Sequence, residues 1–312
     1  MKNSKQRNAY IIGILIAIMW GSTFISSKIL LQQLEPIEIL LFRFLIGYLT
    51  LTIIKPKPMP FLGWILEGWC LLAGTLSVTI YFMCESSALQ FTNAGNVGII
   101  VSLAPLFTAF LSFVFIKDEK PNIRYFLGST MAIFGILFIN VKIFSAFHFD
   151  VRGYFLALAA AFAWAMYSII IKRKIQLEKY MLEATKRILF YGVLTALPLY
   201  FLLGVKSDFS LFMQGEIWGN LLFLGVGASG IGYLGWNKMV SVLGSLKATI
   251  YIYIIPVVTF LVAFLILGEE ITFFTGIGGV LVIAGLIISE KGKNSKSEEM
   301  RPFSCDKDKK RV

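Results

Sequence analysis

Apolar runs of about 20 residues recur from Tyr10 to Ser289, and they constrain this chain more than any other feature. One such run forms an α-helix long enough to cross roughly 30 Å of hydrocarbon. Of the 312 residues, 57% are hydrophobic and 15% are charged, whereas about a quarter of the residues in soluble domains are charged. Little sequence lies between the runs, so the pattern predicts a protein embedded in the lipid bilayer, without a separate soluble catalytic domain.

The pattern predicts an all-α membrane protein with ten transmembrane helices. The predicted spans cover about residues 10–31, 36–54, 62–86, 95–116, 123–140, 152–171, 182–203, 217–238, 246–267 and 272–289. The first run is long and lacks a small-residue cleavage site after it, so we interpret it as a retained span and not as a signal peptide. The tail from Glu290 is polar and mixed in charge, and is predicted to be disordered.

The sequence lacks the residues that several kinds of catalytic and metal-binding sites require. The single histidine, His148, falls in a predicted outer loop, which excludes a His-Glu zinc helix or a His-based triad. The sequence has no Gly-x-x-x-x-Gly-Lys-Ser/Thr loop to bind ATP phosphates. Cys70 and Cys84 lie about 21 Å apart along one predicted helix and Cys305 is in the tail, so no disulfide framework is expected. We therefore predict no cofactor, no metal site and no enzymatic activity.

The formal net charge of +11 is explained by orientation in a membrane and not by a nucleic-acid partner. If the N-terminus is inside, 24 of the 29 Lys and Arg residues fall in inner segments, four in outer segments, and Arg43 inside a span. Cytoplasmic segments of membrane proteins are enriched in Lys and Arg. The distribution predicts a multi-pass protein of the plasma (inner) membrane with an even number of spans and both termini in the cytoplasm.

The chain repeats at about half its length. An offset of 144 residues aligns Trp20, Lys28 and Arg43 with Trp164, Lys172 and Arg187, and an offset of 151 aligns Pro105, Glu119 and Gly128 with Pro256, Glu270 and Gly279. Because five helices per copy is an odd number, the second copy must enter the membrane from the opposite side. The predicted organisation is a cytoplasmic N-terminus (1–9), a first five-helix repeat (10–140), an external connector (141–151), a second five-helix repeat (152–289) and a basic cytoplasmic tail (290–312). Inverted repeats place a substrate site near the midplane and permit alternating access.

The sequence resembles the EamA-like branch of the drug/metabolite transporter superfamily over about residues 10–290. The resemblance rests on Trp20-Gly-Ser-Thr-Phe, Pro36 with Arg43-Phe44, Ala104-Pro105 and Gly268-Glu269-Glu270. It implies a ten-helix, two-repeat carrier of small organic metabolites, often amino acids or their relatives, usually working by export. The fourth helix departs from the family pattern because it ends in Ile116-Lys-Asp-Glu119, which leaves open which acidic residue takes the family role there.

Aromatic residues inside the spans predict the wall of a substrate cavity. Aromatic faces bind apolar groups and attract cations by about 0.5–2 kcal/mol each, and a few polar groups would orient the ligand. Ordinary packing or a lipid-facing position is the alternative for each residue. The candidates are Trp20, Ser22, Tyr81, Asn96, Trp164, Tyr167, Tyr233, Trp236, Asn237 and Tyr251. Pro105 and Pro256 lie near mid-membrane and are predicted hinge or cavity residues, since proline interrupts helical hydrogen bonding; a simple packing kink is the alternative.

Arg43 is the most informative charge because it lies about 10 Å inside the outer end of its predicted helix. Three interpretations are open: an ion pair with Glu85, snorkelling to the outer interface, or contact with a substrate carboxylate. Arg187, the repeat mate of Arg43 and also a candidate buried or coupling charge, is expected to lie toward the cytoplasm, where snorkelling is cheaper. Glu85 and Glu67 are the carboxylates predicted inside spans. Glu85 is the candidate for proton coupling. Alternatively, Glu85 forms a salt bridge or lies in a loop, or the protein works by facilitated diffusion without a coupled proton.

These features favour a secondary transporter for a small organic metabolite. An integral-membrane enzyme acting on lipid-linked substrates would need a clustered polar site at one interface, and a channel or receptor is the other alternative. The sequence leaves open the substrate, the direction of flux, proton coupling and the oligomeric state.

Overall fold

The computed structural model describes residues 2–290 except 57–60, 62, 92–93, 117–119, 140–150, 176, 206 and 268–272. These described residues form helices and contain no β-strand. The helices of the first half are α1 (Lys2–Leu30), α2 (Pro36–Ile54), α3 (Trp64–Phe91), α4 (Ala94–Val101 and Ala104–Phe115) and α5 (Ile123–Ile139). The second half contains α6 (Val151–Arg173), α7 (Leu177–Leu202), α8 (Gly215–Leu243), α9 (Ser245–Thr249, Ile250–Tyr253 and Ile254–Leu267) and α10 (Phe273–Glu290).

Eight of these helices are long and apolar enough to cross a membrane by length and composition. The two others are α5, a shorter apolar helix of 17 residues, and α7. The first turns of α7 carry Glu183, Lys186 and Arg187, which lower its mean hydropathy. The chain is thus a multi-pass, all-helical membrane protein. Glu119, His148, the 141–150 part of the predicted connector, Glu270 and the tail from 291 lie outside the described residues.

The two halves deviate from regular α-helix at matching positions. Helix α3 contains a π-helical segment over Thr75–Ile80, and α8 contains one over Phe223–Ile231. The offset of 151 residues places the end of the first segment on the end of the second. Helix α4 is interrupted just before Pro105, and α9 tightens to a 3-10 turn over Ile250–Tyr253 just before Pro256. Both predicted proline hinges therefore follow a local break in the helix.

Helices of the first half pack mainly against helices of the second. The pairs in contact include α1 with α9, α2 with α8, α3 with both α6 and α7, α4 with α6, and α5 with α10. A Cβ at Gly285 would lie 2.5 Å from the Gly128 carbonyl, and one at Gly278 would lie 2.5 Å from the Gly135 carbonyl. Early residues of α5 therefore face late residues of α10, so these two helices run antiparallel in close backbone contact.

One end of the bundle is closed by the connection between α7 and α8. The Phe212 ring centroid lies 4.4 Å from that of Phe42 in α2, and the Ser207 hydroxyl donates a hydrogen bond to the Glu38 carboxylate. Glu38 lies in the first turn of α2 and is buried. The prediction that Glu85 and Glu67 were the only carboxylates inside spans was therefore wrong. Nearby, the side chain of Ser210 and then its backbone N–H, both as hydrogen-bond donors, lower the pKa of Asp208, an exposed carboxyl in the connection.

Candidate functional site

A cluster of aromatic rings lies where α1, α2, α3, α6 and α8 meet. We call it the aromatic cluster, and it consists of Trp20, Phe44, Tyr81, Phe82, Trp164, Tyr167, Tyr233 and Trp236. Its centre is Trp164, whose ring centroid lies 5.3 Å from those of Trp20 and Trp236 and 5.1 Å from that of Tyr81. Both halves of the chain contribute, so the cluster lies at their junction.

Helical spacing explains why the rings converge. Trp164 and Tyr167 are three residues apart on α6, and Tyr233 and Trp236 are three apart on α8, which places each pair on one face of its helix. Six of the seven predicted aromatic residues are brought together in this way. Phe44 and Phe82 were not predicted, because a phenylalanine in a membrane span is indistinguishable by sequence from a lipid-facing one.

The π-helical segments anchor two of the rings. The Tyr233 hydroxyl donates to the Ser77 carbonyl at 2.8 Å, and the Trp20 indole N–H donates to the Ala228 carbonyl at 3.1 Å. The offset of 151 residues relates Ser77 to Ala228, so equivalent carbonyls accept hydrogen bonds in the two halves. A π-helical turn disturbs the regular backbone ladder and provides carbonyls with room for another donor.

Two indole N–H groups of the cluster have no acceptor among the described residues. They belong to Trp164 and Trp236, whose side chains are 5% and 1% exposed. A buried polar group without a partner costs about 1–3 kcal/mol, so such groups are rare in folded proteins. In the middle of an aromatic cluster they are donors available to a ligand oxygen.

A hydrogen-bonded chain continues from the cluster toward α7. The Tyr167 hydroxyl donates to the Asn237 side-chain oxygen at 2.7 Å, and the Asn237 amide nitrogen donates to the Thr185 hydroxyl at 2.8 Å. Asn237 is therefore next to the cluster but is already satisfied. These hydrogen bonds join α6, α8 and α7.

Arg43 is buried beside the cluster. Its Nε donates to the Ser229 hydroxyl at 3.1 Å, and the guanidinium carbon lies 4.5 Å from the centroid of the Phe82 ring. Glu85 is near enough to interact electrostatically but forms no ion pair with Arg43; its Oε1 accepts a hydrogen bond from the Tyr81 hydroxyl at 3.0 Å. The direct Arg43–Glu85 ion pair is therefore absent, and the burial of Arg43 does not fit snorkelling.

Arg187 is also buried, and its side chain is paired and does not snorkel. Its Nε donates to Glu67 Oε1 at 2.8 Å, and the Tyr191 hydroxyl donates to Glu67 Oε2 at 2.8 Å. Glu67 was not predicted to pair. The sequence contained a signal for this contact, because Glu67 and Arg187 lie equally far inside predicted spans, 62–86 and 182–203, that begin on the same side of the membrane.

The other predicted residues lie apart from the rings. Ser22 donates to the Ile18 carbonyl of its own helix, and the side chain of Asn96 lies outside the described residues. Tyr251 stacks on Tyr10 with ring centroids 6.4 Å apart. The Pro105 carbonyl accepts a hydrogen bond from the Tyr125 hydroxyl at 2.8 Å, which ties the break in α4 to α5.

A narrow pocket connects Tyr251 to the aromatic cluster. It leaves no room even for a water molecule and is lined by Gly13, Ile16, Ala17, Trp20, Trp236, Met239, Tyr251, Ile252 and Ile255. Sites for drug-sized ligands are usually about 300–1,000 Å³. In this conformation the pocket is too small for such a ligand, because the rings of the cluster pack against one another.

Comparison with known proteins assigns the chain to a family. The model of the EamA-like transporter family matches residues 7–141 and 151–290, once in each half. An uncharacterized transporter of Clostridium kluyveri is 27% identical over 95% of this chain and 96% of its own length. A probable amino-acid metabolite efflux pump of Escherichia coli is 24% identical over 90% of this chain and 94% of its own length.

A solved structure shares the fold. A crystal structure with 19% sequence identity superposes with a TM-score of 0.73 and covers 91% of this chain and 96% of its own. The two family matches together span most of the sequence, on either side of the 142–150 segment. The chain therefore belongs to the EamA-like transporter family.

Proposed function

We propose that this protein is a secondary transporter that exports a small amphipathic, amino-acid-like metabolite across the plasma membrane, with the aromatic cluster as its substrate site. The observation that carries the proposal is the pair of buried indole N–H groups, those of Trp164 and Trp236, without an acceptor in a cluster built by both halves. A substrate carboxylate or carbonyl oxygen would satisfy them, while the ring faces would hold its apolar part.

We propose that the chain crosses the membrane ten times as two inverted five-helix repeats. The antiparallel packing of α5 on α10, which are equivalent helices of the two halves, supports the inversion. The pairing of α2 with α8 and of α3 with α7 supports it too, because a two-fold axis in the membrane plane exchanges these pairs. The distribution of Lys and Arg supports both termini in the cytoplasm.

Alternating access would occur by separation of these pairs. The rings of the aromatic cluster pack together in the present conformation, so a substrate of metabolite size requires the halves to move apart. Pro105 and Pro256 follow breaks in α4 and α9, where little helical hydrogen bonding opposes bending. Arg43 lies near the cluster with its Nη groups free of hydrogen bonds among the described residues, and would contact a substrate carboxylate.

The test is transport by purified protein in liposomes. Labelled amino acids and related amphipathic metabolites would be screened for counterflow, with and without a pH gradient. Trp164→Phe and Trp236→Phe keep an aromatic ring and remove the N–H, so each should raise KM for the transported compound by roughly tenfold, as expected for one lost buried hydrogen bond.

Trp64→Phe is the matched control, because Trp64 lies at the start of α3, outside the aromatic cluster, and is 84% exposed. The KM of this control variant should stay within twofold of the KM of the unchanged protein. Transport with equal KM in all three variants would remove the indoles from the site. Absence of counterflow across the whole panel, with steady ionic current instead, would overturn the carrier.

A further inference from the structure

A buried ion pair joins α3 to α7 between the aromatic cluster and one end of the bundle. Both carboxylate oxygens of Glu67 in α3 are bonded to residues of α7, Oε1 to Arg187 Nε and Oε2 to the Tyr191 hydroxyl. The Arg187 side chain is 3% exposed and that of Glu67 12%. Since α3 and α7 belong to different halves, this contact holds the halves together at that point. We call these three residues the Glu67 cluster.

Cys70 lies between the Glu67 cluster and the aromatic cluster along α3. It is one helical turn beyond Glu67 and fully buried, and Tyr81 and Phe82 of the aromatic cluster follow it on the same helix. Separation of the halves at the end where α3 and α7 begin would therefore expose Glu67 first and then Cys70.

The equivalent crossing in the other half is built differently. The offset of 151 residues places Trp218 of α8 where α3 has Glu67, and the Trp218 ring lies against Phe212, with centroids 6.4 Å apart. Phe212 in turn packs on Phe42 of α2. Aromatic rings thus connect α2 and α8 at the place where the Glu67 cluster connects α3 and α7.

We propose that Glu67, Arg187 and Tyr191 form the inner gate of the transport cycle, which closes the path between the aromatic cluster and the cytoplasm. This inference rests on the proposed function and on its orientation. The halves can separate at this end only if the pair breaks, and water entering the opening then hydrates both charged groups. When one partner is removed, the remaining charge is costly while it stays buried and cheap once water reaches it in the open state. Removing either charge therefore shifts the population toward the state open to the cytoplasm.

The native Cys70 thiol reports on the gate without any substrate. In a Cys84→Ser, Cys305→Ser background, the labelling rate of Cys70 by a membrane-impermeant maleimide would be measured from each face in right-side-out and inside-out vesicles. Glu67→Gln should accelerate labelling from the cytoplasmic face roughly tenfold. Labelling from the external face should not change.

Removal of one partner leaves the other charge buried, so a second variant guards against misfolding. Glu67→Gln combined with Arg187→Gln removes both charges, leaves no unpaired charge buried, and should accelerate labelling from the same face by a smaller factor. Lys55→Gln is the matched control, because Lys55 pairs with Glu183 at the same end but its side chain is 42% exposed. Its labelling rate should stay within twofold.

The outcomes separate the two proposals. Unchanged labelling in the folded double variant, or acceleration from the external face alone, would overturn the gate even if the protein transports metabolites. Accelerated cytoplasmic labelling in a protein that transports nothing would support the gate as a closure of this path and would overturn the metabolite carrier.

Discussion

The crossings of α3 with α7 and of α2 with α8 share a backbone but differ in the side chains that hold them. Each contains a glycine at the closest approach, Gly74 and Gly225, related by the offset of 151 residues. Each glycine lies in or next to the π-helical segment of its helix. The first crossing is joined by the Glu67–Arg187 ion pair, whereas Arg43 of the second donates to the neutral Ser229 hydroxyl. The two halves share the path of the chain at these crossings, whereas the polar contacts that join them differ.

Among the substitutions that test this comparison, Arg187→Ala should lower the free energy of unfolding most. Arg187→Ala leaves the Glu67 carboxylate buried without its cation, and breaking a buried pair costs about 3–5 kcal/mol. Arg43→Ala removes a hydrogen bond to Ser229 and a cation–π contact with Phe82. It also removes a buried charge that forms no ion pair among the described residues, so the net loss should be smaller, about 1–3 kcal/mol. The free energies of unfolding of the Arg187→Ala and Arg43→Ala variants would be measured in mixed detergent micelles.

The double variant Glu67→Ala, Arg187→Ala is the control for that prediction. It removes the unpaired charge, so its free energy of unfolding should recover part of the loss in Arg187→Ala. If Arg43→Ala proves as damaging as Arg187→Ala, the two crossings are electrostatically equivalent and the contrast between them fails.

Replacing Gly74 or Gly225 by alanine adds one methyl group at each crossing, and the resulting losses of stability should differ by a smaller amount. A Cβ at Gly74 would collide with the Ile188 carbonyl oxygen and lie 2.8 Å from the Gly192 nitrogen, both backbone atoms. At Gly225 it would lie 2.5 Å from Ile46 Cβ, a side-chain atom. Overpacking costs about 1–3 kcal/mol; we expect Gly74→Ala near the upper value and Gly225→Ala near the lower.

Thermal unfolding in detergent would compare these variants. Gly68→Ala is the control, since a Cβ at Gly68 of α3 meets nothing within 4 Å. A larger loss in Gly225→Ala than in Gly74→Ala would contradict the assignment of the tighter backbone contact to α3 and α7.

The smallest expected effect concerns the carbonyls of the π-helical segments. Tyr233→Phe removes the donor to the Ser77 carbonyl and should destabilise the protein by about 1–2 kcal/mol. Trp20→Phe removes the donor to the Ala228 carbonyl and also part of a ring, so its loss should be larger. Equal stability of Tyr233→Phe and the unchanged protein would mean that water replaces the lost donor at Ser77.

Hydropathy and repeats predicted much of the fold because both follow from residue type alone. The aromatic cluster was largely predictable for the same reason, since Trp20, Trp164 and Trp236 are unusual inside spans. The π-helical segments were not, because an extra residue in a helical turn leaves no trace in hydropathy. The Glu67–Arg187 pair could have been found by comparing depths in the predicted spans, whereas the hydrogen bond of Ser22 to its own helix depends on a rotamer that sequence does not specify.

Each π-helical segment accommodates one residue more than a regular turn would. Because the wide π turn takes up that residue locally, deleting one residue within Thr75–Ile80 would restore a plain helix and leave the rest of α3 facing nearly as it does now. The same deletion in a regular stretch of α3 would instead rotate Tyr81, Phe82 and Glu85 by roughly 100° away from α6 and α8. The two segments therefore let the chain gain or lose a residue near the junction of its halves without turning the aromatic side chains away from one another.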